Sequence, residues 1–355
     1  MELINKSDKS KLWSLFQNVQ NESVETKYQI NSSVLIIDGL NTFIRCWSVI
    51  PSLNENGIHT GGVMGFLKSI GYAIKLLNPA KCVIVFDGSG GSQRRKKLYP
   101  EYKSHKSNTM RINRAYIENS TPQTEQASLK KELMRTIQYL DCLPVSIMSI
   151  DNVEADDVIA YAANQTFKSH NVTIMSADKD FLQLIDNRIK VWSPTKKKLY
   201  GCAEVLSEYG VSCENFINYR VLEGDKSDNI GGIKGAGPTT IKKCFPIFVD
   251  NHRYSIDEIF NYADSNKGKY KLHDTILENK SIVNLNYELM QLFDTQLQSF
   301  SQLRVEEILK KPITKLNRFE FSKLITEDKA WNNISGYQTW LGEVFTRLDN
   351  FVSQS

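Results

Sequence analysis

The sequence predicts an α/β protein: a mostly parallel central sheet flanked by helices, followed by a helical region. Three observations carry this. Short apolar runs alternate with segments whose apolar residues recur at helical spacing. Several of those runs end directly in aspartate. Beyond residue 205 the strand-like runs cease, and helical pieces separated by glycine breaks take over.

Taken in order, residues 1–30 form a polar N-terminal extension with a short apolar patch, Leu12, Trp13, Leu15 and Phe16. VLII (34–37) is a buried strand ending at Asp38, and residues 63–77 are a helix. CVIVF (82–86) is a second strand, ending at Asp87. Residues 88–126 are glycine-rich, then basic, then polar, and read as an arch or clamp within the α/β domain. A helix is expected over 129–140, a strand over 144–148, a helix over 153–167, and strands over 172–175 and 189–193. The alternation points to a parallel sheet with both faces covered. This gives an α/β domain over 31–204 and a helical domain over 205–355, which includes YELMQLF (287–293) and FEFSKLI (319–325).

Ligands of such sheets sit beyond the carboxyl ends of the strands. Asp38, Asp87, Asp178 and Asp180 each follow a predicted strand and so share one edge. Glu154, Asp156 and Asp157 in EADD, and Asp225 and Asp228 in GDKSDN, complete five acidic motifs. Any one could be a turn or a helix cap. Five on one edge call for neutralising cations, because crowded carboxylates repel. Oxygen donors without histidine or thiolate select Mg²⁺, with Mn²⁺ as substitute, and two such ions suit phosphodiester cleavage.

Residues 94–114 read RRKKLYPEYKSHKSNTMRINR, in which Arg94, Arg95, Lys96, Lys97, Lys103 and Lys106 alternate with Tyr99 and Tyr102. Cations neutralise phosphates, and aromatic rings stack on unpaired bases. In DNIGGIKGAGPTTIKKCF (228–245) a tight glycine turn precedes a helix that starts near Pro238. Gly232, Lys234, Gly235, Gly237, Thr239 and Thr240 are the expected duplex-backbone clamp there.

Composition narrows the remainder. The 355 residues are 41% hydrophobic and 24% charged, with no apolar run long enough to span a membrane. The amino terminus lacks the apolar stretch of a signal peptide. None of the six cysteines forms a CxxC pair, which fits thiols in a reducing compartment, the cytoplasm of a bacterial cell or a phage-infected host. The net charge is only +4, but with nine acids gathered in one site the remaining surface is distinctly basic.

The order LIIDG, VFDG with RR…YPEYK, EADD, SADKDF and GDKSDNIGGIKGAGPTT resembles the 5′ nuclease superfamily: flap endonucleases, the 5′-nuclease domain of bacterial DNA polymerase I, and phage 5′-exonucleases and ribonuclease H. The resemblance spans roughly residues 33–245. It implies a PIN-like fold with a helical arch and a C-terminal helix–three-turn–helix region. It implies the nine acids above as ligands of two metal ions. Lys103 takes the place of the catalytic arch lysine, Arg94 or Arg95 that of the preceding arginine, and Tyr102 that of a base-stacking residue. A K⁺ ion at the glycine turn is implied as well. The implied activity is 5′–3′ exonuclease or flap endonuclease action on DNA or RNA–DNA at 5′ ends and junctions, with primer removal in replication as the role. A replication clamp or a single-strand-binding protein is the candidate protein partner of a monomeric enzyme. Two rivals are weaker. A catalytically silent DNA binder gains nothing from acids that repel phosphate. A ribonuclease of a related metal-dependent class does not account for the glycine turn beside GDKSDN.

Overall fold

The computed structural model describes residues 33–104 and 121–352. The N-terminal extension with its apolar patch, and Lys106 in the basic segment, lie outside the described residues. Six strands form one sheet: β1 (Ser33–Asp38), β2 (Lys81–Asp87), β3 (Ser146–Ile150), β4 (Asn171–Met175), β5 (Ile189–Ser193) and β6 (Lys198–Tyr200). Their order is β3-β2-β1-β4-β5-β6, with all neighbours parallel except the final β5–β6 pair. The chain moves outward from β1 through β2 and β3, then returns to the other side of β1 with β4. The carboxyl edge between β1 and β4 is therefore the switch point at which α/β sheets form clefts.

Strand geometry explains the apolar runs. Successive side chains point to opposite faces, and the two hydrophobic cores divide β1 by parity. Val34 and Ile36 join one core, and Leu35 and Ile37 the other. In β2, Val83 and Val85 face the first core, whereas Cys82, Ile84 and Phe86 face the second. Both faces are buried, so no polar alternation marks these strands.

Helices α1 (Gly39–Val49), α2 (Gly61–Leu77), α3 (Gln93–Leu98), α4 (Pro122–Leu140) and α5 (Ala155–Tyr161) connect the strands. The first was not expected, because it begins on the residue after a strand. It does so because Asp38 is its N-cap and accepts from the Asn41 N–H at 3.2 Å. Helix α4 begins at Pro122, earlier than the expected 129, since Thr121 and Thr124 cap each other reciprocally. The expected 153–167 helix divides into α5 and a π-helical turn, Ala162–Thr166.

After β6 come α6 (Cys202–Tyr209), α7 (Phe216–Glu223) and α8 (Pro238–Cys244), and then α9 (Ile256–Ser265), α10 (Lys271–Glu278), α11 (Lys280–Met290) and α12 (Ser299–Lys310). The last two helices are α13 (Arg318–Glu327) and α14 (Tyr337–Val352). The expected boundary at 204 does not divide two cores. Phe216, Phe245 and Val305 share a core with Val34 and Ile174, while Phe321 and Phe345 share the other with Leu35 and Ile84. Apolar surface on both sheet faces needs cover, and the later helices supply it. Helix α14 lies on α2 so closely that a Cβ on Gly71 would meet the Trp340 ring at 2.6 Å. Glycine, unfavourable inside a helix, is required at 71 for that approach. Gly71→Leu is expected to cost about 1–3 kcal/mol of stability through overpacking, measured by urea unfolding with Trp340 fluorescence as the local reporter.

Candidate active site

The carboxyl edge of the sheet opens into a cavity of about 660 Å³. Six carboxylates line it: Asp38, Asp87, Glu154, Asp156, Asp178 and Asp228. Arg45 and Lys103 are the cations in its lining. The sheet register sets the spacing. Asp38 pairs with Val85, so Asp87 stands two residues further along the neighbouring strand, about 7 Å on.

Each acid is held by a local device. Asp38 caps α1 and also accepts from Ser176 Oγ at 2.9 Å. Asp87 Oδ1 accepts from the Ala155 N–H at 2.8 Å, so the end of β2 caps helix α5 and aims EADD at the cavity. Asp178 Oδ1 accepts from the Asp180 N–H at 2.8 Å. Asp228 stands in the turn after α7, where its carbonyl accepts from the Lys103 N–H at 2.9 Å.

Electrostatics separates these acids into two sets. Burial, reinforced by repulsion from Asp178 and Asp87, pushes Asp38 up to about 7. Burial likewise raises Asp156, with Asp178 and Asp38 as its repelling neighbours. Asp178 is raised by burial, with Asp228 and Asp225 adding to the effect. None of these three makes an ion pair with a described residue. Glu154 behaves oppositely: burial alone would raise it, but Arg95 and Lys103 outweigh burial and hold it below the usual carboxylate range. Burial alone would lower the Lys103 ammonium, but Tyr102, Glu154, Asp156 and Asp228 outweigh it and keep the group protonated.

Several expected residues take other places. Arg95 is 3% exposed, donates to Leu289 O at 2.8 Å and grips Asp157 with two bonds of 2.7 and 2.9 Å. It also pairs with Glu154. Arg95 is thus a buried counter-ion with no surface to offer a nucleic acid, and Asp157, turned toward it, does not line the cavity. Arg94 reaches Asp157 at 3.6 Å and Gln296 at 3.3 Å, also outside the cavity lining. Tyr102 is 2% exposed, with its hydroxyl 3.1 Å from Asp228 Oδ2 and 3.3 Å from Glu154 Oε2. A ring so enclosed cannot stack on a base; it positions the two carboxylates. Lys96 and Lys97 are exposed on α3.

Asp180 and Asp225 share a counter-ion that sequence reasoning missed. Arg220 on α7 donates to Asp180 at 2.7 Å and to Asp225 at 2.6 Å. Burial raises Asp180 to about 7, with Asp178 adding repulsion and Arg220 opposing both. Asp225 lines an adjoining cavity together with Asp178 and Arg220. The available signal was an arginine in NYRVLEGD, a helix otherwise destined for the core. Ser176, the first residue of SADKDF, is the other omission.

The glycine turn follows directly. A Cβ on Gly232 would stand 2.0 Å from Glu223 O, and Gly235 has φ +87, so glycine is required at both. Gly232, Lys234, Gly235, Gly237, Thr239 and Thr240 are all exposed.

Among the described residues no three acidic, histidine or cysteine side chains are grouped tightly enough to enclose a metal ion. The donor set still fits a hard cation. It is all oxygen, it carries more negative than positive charge, and Mg²⁺ keeps several waters and needs only one or two carboxylates. What the fold and the site define together is a class: an α/β protein whose sheet edge bears an oxygen-lined cavity for hard cations.

Comparison with known proteins narrows the class. Residues 33–210 match the family model described as 5′-3′ exonuclease, N-terminal resolvase-like domain. The chain belongs to this 5′-3′ exonuclease family. It is 28% identical over 310 residues to the 5′-3′ exonuclease of Aquifex aeolicus, covering 85% of this chain and 98% of that protein. It is 30% identical over 270 residues to the DNA polymerase I of Bacillus caldotenax, covering 73% of this chain but only 28% of the polymerase. The fold is that of the T5 D15 protein co-crystallised with metal ions, with a TM-score of 0.62 at 18% identity over 78% of this chain and 98% of that one.

Two outcomes test the electrostatics. Arg95→Met removes the bidentate buried partner of Asp157 and one of the two cations on Glu154, and is expected to cost about 3–5 kcal/mol in urea unfolding. With divalent ions chelated, the folded chain keeps protons on Asp38 and Asp180 that the unfolded chain releases, between the ordinary 3.8 and about 7. The folded state binds more protons in that window, so stability falls as pH rises through it. Thermal melts across that range check the sign, and Asp38→Asn should flatten the slope.

Proposed function

We propose that this chain is a structure-specific 5′ nuclease that hydrolyses a phosphodiester bond of DNA or an RNA–DNA hybrid beside a free 5′ end, flap or junction. The observation that carries the reading is the cavity at the β1–β4 switch point, where Asp38, Asp87, Asp156 and Asp178 face Lys103. Carboxyls whose protons are held by burial and by repulsion from their neighbours, as at Asp38, Asp156 and Asp178, are sites where cations replace protons readily.

Asp38, Asp87, Glu154, Asp156, Asp178 and Asp228 would hold two Mg²⁺ ions, with Mn²⁺ as substitute. When bound, the ions supply charge against the phosphate oxygens and lower the pKa of water. Ser176 fixes the Asp38 carboxylate by its hydrogen bond. Lys103, kept protonated by its acidic neighbours, donates toward a non-bridging phosphate oxygen as negative charge develops there. Water adds its oxygen to phosphorus and a proton goes to the departing 3′ oxygen, leaving a 5′-phosphate and a 3′-hydroxyl.

The exposed turn from Gly232 to Thr240, with Lys234, Lys242 and Lys243, grips the duplex backbone. A K⁺ ion on carbonyls of this turn, a monomeric state, and a clamp or single-strand-binding partner belong to the same reading. Support comes from the family and from relatives. One solved relative is a T5 D15 flap endonuclease in a pseudo-enzyme–product complex with DNA and metal ions. Removal of RNA primers and flaps during replication is the role that follows.

The test is cleavage of a labelled 5′ flap and of a 5′ RNA–DNA hybrid with Mg²⁺ and with EDTA. Asp87→Asn and Asp178→Asn should each lower the rate by about 10²–10³-fold or more while the DNA remains bound in a gel-shift measurement. Cleavage that persists in EDTA, or at full rate in both variants, sinks the proposal.

A further inference from the structure

Five of the six cysteines are buried, and the exposed one, Cys202, stands against a buried one, Cys213. Cys202 opens helix α6, whereas Cys213 heads the 3₁₀ turn Cys213–Asn215. They are eleven positions apart in the chain, and the fold brings them together. Helix α6 runs for eight residues, about 12 Å. Gly210, at φ +67, ends it, and the residues from Val211 to Cys213 are enough to lead back over about 10 Å. The turn packs on α6, and the thiols of Cys202 and Cys213 meet in hydrogen-bonding contact.

The two sulfurs differ in what they offer. Burial pushes the Cys213 thiol up, and Cys202, Glu214 and Asp186 push it further. Cys213 is held protonated and out of solvent, while an oxidant in solution reaches the Cys202 sulfur. An accessible cysteine beside a second one that can resolve it is the arrangement of reversible thiol oxidation.

They also belong to different parts of the molecule. Helix α6 is tied to the sheet edge, where Glu208 pairs with Lys196 and Lys198 and accepts from the Tyr200 hydroxyl. The turn of Cys213 is tied to the segment after α8. The Ser212 N–H donates to Phe248 O at 2.8 Å, Ser212 Oγ to Asp250 O at 2.7 Å, and Asn215 Nδ2 to His252 O at 2.8 Å. A covalent link between the sulfurs fastens the sheet edge to the helices that carry the glycine turn.

We propose that Cys202 and Cys213 are a site of reversible oxidation, closing an intramolecular disulfide under peroxide and reopening with thiol reductants. Cys202 sulfur attacks one oxygen of hydrogen peroxide, the O–O bond breaks, and one water leaves a sulfenic acid. Cys213 sulfur then attacks Cys202 sulfur; the S–O bond breaks, and the hydroxyl leaves with the Cys213 proton as a second water. Two thiols lose two electrons and the peroxide gains them. The bridge forms whether or not the chain cleaves DNA.

The experiment treats the full chain with hydrogen peroxide in EDTA, then denatures it in urea and alkylates it with iodoacetamide. Mass spectrometry should find two of the six thiols protected and a peptide pair joining Cys202 to Cys213. Dithiothreitol should return all six. The oxidised chain should melt about 3–6 °C higher, because a closed loop restricts the unfolded state, and reduction should reverse the rise. Cys202→Ser, at an exposed position, should show neither bridge nor rise. In Cys213→Ser, Cys202 should stop at the sulfenic acid, which dimedone traps. Six alkylated thiols after peroxide, a bridge between other cysteines or between two chains, or Cys202 carried to sulfinic acid beside a free Cys213 thiol would each overturn the proposal. A mapped bridge with an unchanged melting temperature overturns the fastening.

Discussion

Mutual repulsion among carboxylates at the desolvated edge of the sheet is the constraint on which the remaining structure depends. Parallel strands expose their carboxyl ends at one edge, and this chain ends β1 and β2 in aspartate and places further acids just after β3 and β4. Six of them line one cavity. In a medium less polar than water such a set is stable only if charge is removed, by protons or by cations.

The fold meets the constraint by division. Arginines flank the cluster and neutralise its periphery: Arg95 takes Glu154 and Asp157, and Arg220 takes Asp180 and Asp225. Lys103 pairs with Glu154 and reaches Asp228 at 3.9 Å. At the centre, burial pushes the carboxyls of Asp38, Asp156 and Asp178 upward with no ion pair among the described residues to oppose it. Rigid salt bridges at the rim and restless charge in the middle give a scaffold that stays ordered while its interior exchanges protons or cations.

Much of this was legible in the sequence, for a physical reason. A strand buried on both faces must be apolar throughout, so the first acid after such a run marks the sheet edge, and Asp38 and Asp87 could be located from that alone. The helical spacing of 63–77 and the turn chemistry of 228–245 were equally local signals. What could not be read was pairing across distance. Nothing near Arg95 tells that its guanidinium turns inward to Asp157, 62 residues away. Nor does anything near Tyr102 announce that its ring is enclosed while its hydroxyl touches Asp228, 126 residues on. Both residues look like surface features of a basic segment. Helix α1 was missed because Asp38 serves at once as strand terminus, helix cap and cavity acid, and a sequence pattern assigns one role per residue. Strand β6, three residues long, is too short to show a period.

Residues 101–104 are stitched to the loop after α7. The Lys103 N–H meets Asp228 O at 2.9 Å, and Asn229 Nδ2 donates to Glu101 O at 3.0 Å and to Ser104 Oγ at 3.2 Å. Two loops far apart in the chain therefore behave as a single mechanical piece, with the ammonium of Lys103 on one side and the exposed glycine turn, proposed above to hold the duplex, on the other. On that proposal a substitution in 225–230 disturbs the chemistry as well as the hold on the ligand, and a kinetic defect from that loop belongs to both. Separating grip from catalysis by mutagenesis would have to begin further out, past Lys234, where the turn has left this seam.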